Sequence, residues 1–240
     1  MYSTMNAKEI RTIIGIIGNV LSVFISLSHM PKFIQICKKK SVDEDFQQHR
    51  HVVTVMKCSL WVFYGLPLVQ KDSILVTTSN GVGLVIEAIY LAVFLFYCDK
   101  DLQLERATGA CLIVEIGVLC LFYGHTLLFL ENVSARRKLV GVVCTVYTII
   151  MHGLLALQTE DDDEQFRCMY LPFWFSFTNF INAGIWIAYS VIYKIDVYVL
   201  VVNVVGALAC AIRLIILCCS AVRCLLLSKR VVPCSSVPVV

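Results

Sequence analysis

Residues Ile74 to Tyr97 read ILVTTSNGVGLVIEAIYLAVFLFY, an apolar run interrupted by Asn80, two glycines and Glu87. The run has 24 residues, and crossing the hydrocarbon layer of a bilayer takes about 20. In water the polar letters would leave a helix with a poor interior. At depth in lipid each must be satisfied or used. The pattern also returns. Asn80-x-x-Gly83 reappears as Asn203-x-x-Gly206, a shift of 123 positions. Trp61-x-x-Tyr64 reappears as Trp186-x-x-Tyr189 after 125, Asp72 as Asp196 after 124, and Gly15 as Gly141 after 126. Four landmarks with nearly one offset identify two copies of a three-span unit.

Composition sets the solvent. Of 240 residues 59% are hydrophobic and 15% charged, with a mean hydropathy of +0.80, whereas soluble domains carry about 25% charged residues. Seven apolar stretches are long enough to span: Thr12–Ile36, Val52–Val69, Ile74–Tyr97, Ala107–Leu130, Leu139–Leu157, Met169–Tyr193 and Val197–Ser220. Lys8 and Arg11 ahead of the first resemble a secretory signal, but no A-x-A-like site follows, so the segment is expected to be retained. The net charge is +3 and no basic block is longer than three residues, as at Lys38-Lys39-Lys40, which gives no nucleic-acid footprint. Most of the twelve cysteines lie in apolar runs with no C-x-x-C pair, so they read as small hydrophobes rather than a disulfide or zinc framework. No metal or cofactor is implied, and neither a paired serine and histidine nor H-E-x-x-H argues for an enzyme.

The fourth span, Ala107–Leu130, has no counterpart in the repeat. Three crossings end on the opposite face from their start, so one extra crossing restores the polarity of the second copy and makes the two copies parallel. The expected fold class is therefore an all-α integral membrane protein of seven transmembrane helices in a 3+1+3 order. Residues 10–98 form the first unit, 107–130 the linker helix, 137–222 the second unit and 223–240 a cytoplasmic tail. With the N-terminus outside, eleven lysines and arginines fall on the inner side and seven on the outer, favouring N-out and C-in. The sequon Asn132-Val133-Ser134 then lies in a short outer loop, a weak glycosylation signal at Asn132.

The runs GIIGNVLS (Gly15 to Ser22), PKFIQICKKKSV (Pro31 to Val42), LWVFYGLPLVQKDSILV (Leu60 to Val76), SNGVGLVIEAIYLAVFLFY (Ser79 to Tyr97) and NFINAGIWIAYSVI (Asn179 to Ile192) closely resemble a plant SWEET sugar transporter. That family is itself the known example of parallel repeats about an axis along the membrane normal. The resemblance implies a bidirectional uniporter that moves mono- or disaccharides down their gradient by alternating access. It also implies a multi-pass protein of the plasma membrane, with the vacuolar membrane as the alternative. The implied partners are a glucose- or sucrose-like sugar, the lipid bilayer, and related transporters in a homo- or hetero-oligomer.

Symmetry-related residues should share one depth and face one another, which nominates Asn80 and Asn203. A carboxamide both donates and accepts, as sugar hydroxyls do, and adds no charge to desolvate. The plain alternative for each is an interhelical hydrogen bond. Lys57 and Trp61 are one turn apart on the second span, and the 125-residue shift carries them to Asn182 and Trp186. Indole rings can cover the apolar faces of a pyranose, and the family places binding residues at these positions. Trp174 reads as interfacial or core packing. Lys57 costs about 2.5–3.5 kcal/mol at midspan and needs a partner. Glu87 and Glu115 are the candidates, with Arg213 as a second cation, so two neutral pairs are the structural expectation and a proton relay the sharper alternative.

The family resemblance also implies four hinge prolines. At those places this chain has His29, Arg50, Leu155 and Pro172, with Pro31 close to the first. A proline softens a helix by deleting a backbone hydrogen bond, so slow or impaired transport is expected. The loop Glu160-Asp161-Asp162-Asp163-Glu164 is acidic where the family is usually basic, and reads as solvated charge rather than a metal site. Two other readings remain: a transport-deficient member acting as an interaction or regulatory subunit with intact homologues, and a seven-helix receptor. The internal repeat and odd fourth span count against the receptor.

Overall fold

A computed structural model describes residues 6–42, 48–98, 102–158 and 170–230. These form α1 (Ala7–Leu27), α2 (Met30–Lys39), α3 (Gln48–Gly65), α4 (Ile74–Tyr97), α5 (Leu102–Phe129), α6 (Val133–Gln158), α7 (Tyr170–Val191) and α8 (Val197–Arg230). No strand occurs among the described residues. The start of α1 is fixed by a capping box. The Asn6 side chain accepts from the Lys8 amide at 3.2 Å, and the Glu9 carboxylate accepts from the Asn6 amide at 3.1 Å.

The expected first span, Thr12–Ile36, is broken rather than continuous. Ser28 and His29 interrupt it, and Pro31 sits in the first turn of α2. An uninterrupted helix would need a Pro31 N–H to bond the Leu27 carbonyl, and the proline ring would collide with that carbonyl. α2 ends at Lys40 in a left-handed conformation (φ 52°), with Lys38 and Lys39 in its last turn, where cations face the negative end of the helix. The second span ends at Gly65 rather than Val69, because Pro67 disfavours helical backbone at the residue before it. At the far end α8 continues past Ser220 to Arg230. Counting α1 and α2 as one broken rod, seven helical rods cross the molecule.

The packing has the symmetry that the repeat requires. α1 packs on α4 as α6 packs on α8; α3 packs on α4 as α7 on α8; α1 packs on α7 as α6 on α3. Exchanging the copies maps each pair onto another. α5 stands outside this scheme and packs on α3, where Phe63 stacks on Tyr123 at 4.1 Å between ring centroids. The turns before α4 and α8 also lie at the same end of the bundle, since Gln70 and Tyr64 of one copy both reach Asp196 of the other. Copies inverted through the membrane plane would place these turns at opposite ends.

The drift in offset has a structural cause. Helices α3 and α7 correspond by 125, but the turn after Gly65 is two residues longer than the one after Ser190, so α4 and α8 correspond by 123. This corrects one expected correspondence. The residue equivalent to Asp196 is Ser73, not Asp72: both immediately precede their helices and both are buried. Asp72 is a left-handed turn residue (φ 65°) at the surface.

Four rods, residues 7–39, 74–97, 104–129 and 197–223, are long and apolar enough to cross a membrane by length and composition alone. The other three, α3, α6 and α7, carry Lys57, Thr148, His152 and Asn182 of the central cavity described below. On the outside, α5 exposes Leu121 and Leu128 to 76% and 78%, a surface suited to acyl chains and not to water.

The tight join of α3 to α4 yields a test. A methyl added at Gly65 would lie 2.8 Å from the Thr77 amide nitrogen and 2.9 Å from the Ser73 carbonyl oxygen. Both are backbone atoms and cannot step aside. Gly65→Ala should therefore cost about 1–3 kcal/mol, read as a lower melting temperature of the purified protein in detergent. Gly124→Ala, with nothing within 4 Å of the added methyl, should leave the melt unchanged or raise it.

Candidate functional site

A cavity of about 940 Å³ lies between the two copies. That is at the upper end of the range for small-molecule sites, about 300–1,000 Å³. Its lining includes Asn80, Asn203, Trp61, Trp186, Asn182 and Lys57, the set the sequence nominates. Each asparagine spends one amide N–H on its own helix: Asn80 Nδ2 donates to the Val76 carbonyl at 2.9 Å and Asn203 Nδ2 to Val199 at 2.7 Å. The remaining N–H and carbonyl oxygen of each have no partner among the described residues. The tryptophans match as closely. Trp61 lies edge-on to Tyr64 at 5.3 Å, and Trp186 to Tyr189 at 5.2 Å.

Among the lining residues that went unrecognised in the sequence, four fall in pairs. Ser22 and Thr148, and Ser26 and His152, are pairs related by the same 126-residue shift as Gly15 and Gly141. Carrying that offset along the first span would have found them. Thr148 Oγ1 accepts from Trp61 Nε1 at 3.0 Å, and Ser22 Oγ donates to Asn182 Oδ1 at 3.4 Å. Each is a contact from the first helix of one copy to the second helix of the other. Glycine clears the space below: a methyl on Gly83 would approach Ser26 Oγ, and one on Gly206 His152 Nε2.

The charged residues pair differently from expectation. Glu87 Oε2 sits 2.6 Å from His51 Nδ1, so it does not neutralise Lys57. His51 is buried one turn into α3, directly beneath the aromatic stack of Phe33 on Tyr90, and reaches Glu87 first. Glu115 Oε2, on α5, is buried without a hydrogen-bond partner among the described residues and lies outside the cavity lining. Neither Lys57 nor Arg213 has an ion pair among the described residues, so the two neutral pairs do not form. Of the hinge positions, His29 and Arg50 line the cavity and Pro31 adjoins the break in the first rod. The side chains of Leu155 and Pro172 lie outside those described, as does the acidic run 160–164. Trp174 is 46% exposed among Phe173 and Phe177 and takes no part in the cavity. Asn132 caps α6, its Oδ1 accepting from the Ser134 amide at 2.8 Å.

One end of the cavity is sealed. Tyr64 donates to Asp196 Oδ1 at 2.8 Å, while its counterpart Tyr189 reaches across to the Asp72 carbonyl at 3.5 Å. Arg11, assigned by sequence to an exposed outer segment, is buried beneath this layer. Its guanidinium donates to the carbonyls of Asp72 (2.6 Å) and Tyr189 (3.2 Å) and stacks 4.1 Å from the Tyr189 ring centre. At the rim Lys194 Nζ lies 2.9 Å from Asp72 Oδ2. The hydrogen bond to that ammonium holds the Asp72 carboxyl below its ordinary value and the Lys194 amine above its own. The Asp72 contribution is therefore lost as pH falls through its depressed value, and that of Lys194 as pH rises through its raised one. The other end of the cavity runs to Arg50 at the start of α3 and to Ser220 on α8.

Two repeated halves set in parallel around one polar cavity, closed at one end by residues from both, define a membrane carrier for a small polar solute. Residues 12–102 match the family model described as "Sugar efflux transporter for intercellular exchange". Over 212 residues the chain is 43% identical to Bidirectional sugar transporter SWEET8 of Arabidopsis thaliana, covering 88% of each chain. It is 38% identical to Bidirectional sugar transporter SWEET4 of the same plant, over 90% of this chain and 84% of that one. Its fold matches a solved eukaryotic SWEET transporter with a TM-score of 0.76 at 22% identity, covering 90% of this chain and 98% of that one. The chain belongs to the SWEET family of sugar transporters and is an integral membrane protein.

The sealed end predicts an unequal response within a symmetric pair. Tyr64→Phe leaves the buried Asp196 carboxylate without its short hydrogen bond, a loss of about 1–3 kcal/mol. Tyr189→Phe removes only a long contact to a carbonyl. The melting temperature should fall further in the first variant than in the second; equal falls, or the reverse order, would contradict the geometry.

Proposed function

We propose that this protein is a bidirectional sugar uniporter, binding a mono- or disaccharide between Asn80 and Asn203 with Trp61 and Trp186 against the ring faces. The observation that carries this reading is the twofold repetition of donors, acceptors and indoles around one cavity closed at a single end. Asn182, Lys57, Ser22 and Thr148 complete the polar wall. With residues 10–98 and 137–222 as the moving units and 107–130 as linker, alternating access consists of releasing the sealed end while closing the other. An N-terminus outside and a cytoplasmic tail from 223 make the captured state inward-facing, in the plasma membrane. The wide cavity accommodates glucose and sucrose alike.

Asn80→Ala and Asn203→Ala should each abolish sugar flux in a transport-deficient cell while surface expression persists. Loss of expression in place of flux would mark these residues as helix-packing groups.

Compliance of the helices bears on rate. Residues 28–29 already break the first rod, so His29→Pro should add little. α6 is unbroken through Leu155, and Arg50 stands where the family has a proline in the second span. Arg50→Pro with Leu155→Pro should speed uptake of a neutral sugar. Flux from the unmodified chain equal to that of a homologue with all four prolines would show these hinges to be dispensable. Flux absent in both chain and double variant, with sugar binding retained, favours the second reading, a subunit acting through assembly with related transporters; Lys57 and the missing prolines motivate it.

A further inference from the structure

The cavity is charged in a way that a neutral sugar does not require. Its described lining holds Lys57 and Arg213, neither with an ion pair among the described residues, and its acid Glu87 is already engaged by His51. Arg50, Thr54, Lys57 and Trp61 follow one another along one face of α3 at spacings of four, three and four. They form a stripe that leads from the cavity mouth to the indole. Arg213 lies ten residues beyond Asn203 on α8, about 15 Å toward the mouth at 1.5 Å per residue. Cations spaced along a low-dielectric channel raise the local concentration of anions and draw them inward.

Lys57 is the innermost of these. Its ammonium has no hydrogen-bond or ion-pair partner among the described residues, and it lines the cavity together with His152. The second copy has neutral Asn182 at the equivalent place, bonded to Ser22. The charge therefore stands on one side only of the pseudo-twofold axis, one turn of α3 from the Trp61 indole. Nothing among the described residues balances that charge, and a ligand that brings one anionic group to that side does so.

We infer that the preferred ligand is a pyranose bearing a single anionic substituent, with Lys57 as the residue that receives the carboxylate or phosphate and selects it over a neutral sugar. The inference rests on the reading of the cavity as a sugar site. The uncharged wall formed by Asn182 and Ser22 takes the hydroxyls at the other end of the ring, so a sugar with anionic groups at both ends is excluded.

The test uses the purified full-length protein in detergent, with binding followed by quenching of tryptophan fluorescence, since Trp61 and Trp186 line the cavity. Glucose, glucuronate and glucose 6-phosphate are titrated separately. Glucuronate or glucose 6-phosphate should bind at least tenfold more tightly than glucose, and which of the two is tighter identifies the anion. Lys57→Gln should move the ratio of affinities toward glucose by tenfold or more. If that variant does not fold, salt titration of the unmodified protein decides instead: the anionic sugar should weaken steeply with ionic strength while glucose does not. Glucose binding as tightly as both anions, or a ratio indifferent to both Lys57→Gln and salt, overturns the inference and leaves the sugar reading intact. Failure of all three sugars to bind, with flux indifferent to Asn80→Ala, overturns the sugar reading and this inference together.

Discussion

The bond from Tyr64 to the Asp196 carboxylate is the constraint on which the rest of the structure depends. It ties the second helix of one copy to the turn of the other, and Arg11 beneath it draws Asp72 and Tyr189 to the same point. Buried polar groups of this kind tolerate no partial arrangement: a carboxylate of 2% exposure either has its donors or bears the full desolvation penalty. The sealed end is therefore a two-state element. Held, it makes the cavity a blind pocket; released, both of its halves must part, because each contributes residues to the other's turn.

Duplication explains how so small a chain builds a binding cavity at all. A residue on one wall tends to bring a copy on the other, so Asn80 is matched by Asn203 and Trp61 by Trp186 in the lining. Elsewhere the symmetry is broken. Lys57 opposes Asn182, and Arg213 on α8 corresponds to Tyr90 on α4. The aromatic at that place stacks on Phe33 and bonds the Ser26 carbonyl at 3.1 Å, closing the first copy where the second leaves a cation in the channel. The frame is symmetric and the electrostatics are not.

The sequence made the frame legible because membrane helices are long, apolar and cannot hide their ends, and because a repeat offset is arithmetic. α4 carries the boundaries expected of it, Ile74–Tyr97. The asparagine and tryptophan pairs came from the same arithmetic, since residues at equal offsets must share a depth. What could not be read was anything decided by distance across the bundle. His51 was an unremarked residue at the head of a span, yet it takes Glu87 from Lys57. Arg11 looked like a flanking charge because no sequence pattern reveals that two carbonyls await it, that of Asp72 in the turn before α4 and that of Tyr189 near the end of α7. The equivalence of Asp72 with Asp196 failed for a third reason: two extra residues in one turn slide the register, and only the helix starts reveal that Ser73 fills the matching place.

The two copies also differ in how they can bend. In the first, Pro31 separates α1 from α2, so the lower segment, packed on α4 through Phe33 and Tyr90, can pivot without breaking a regular hydrogen-bond ladder. In the second, α6 runs without interruption from Val133 to Gln158. A helix that must bend without a break loses backbone bonds as it does so, and in lipid nothing replaces them. Movement at the mouth thus falls first to the α2 side, where His29 and Arg50 line the cavity. The soft element and the cationic stripe of α3 share one side of the channel, where His29 and Phe33 lie edge-on to His51.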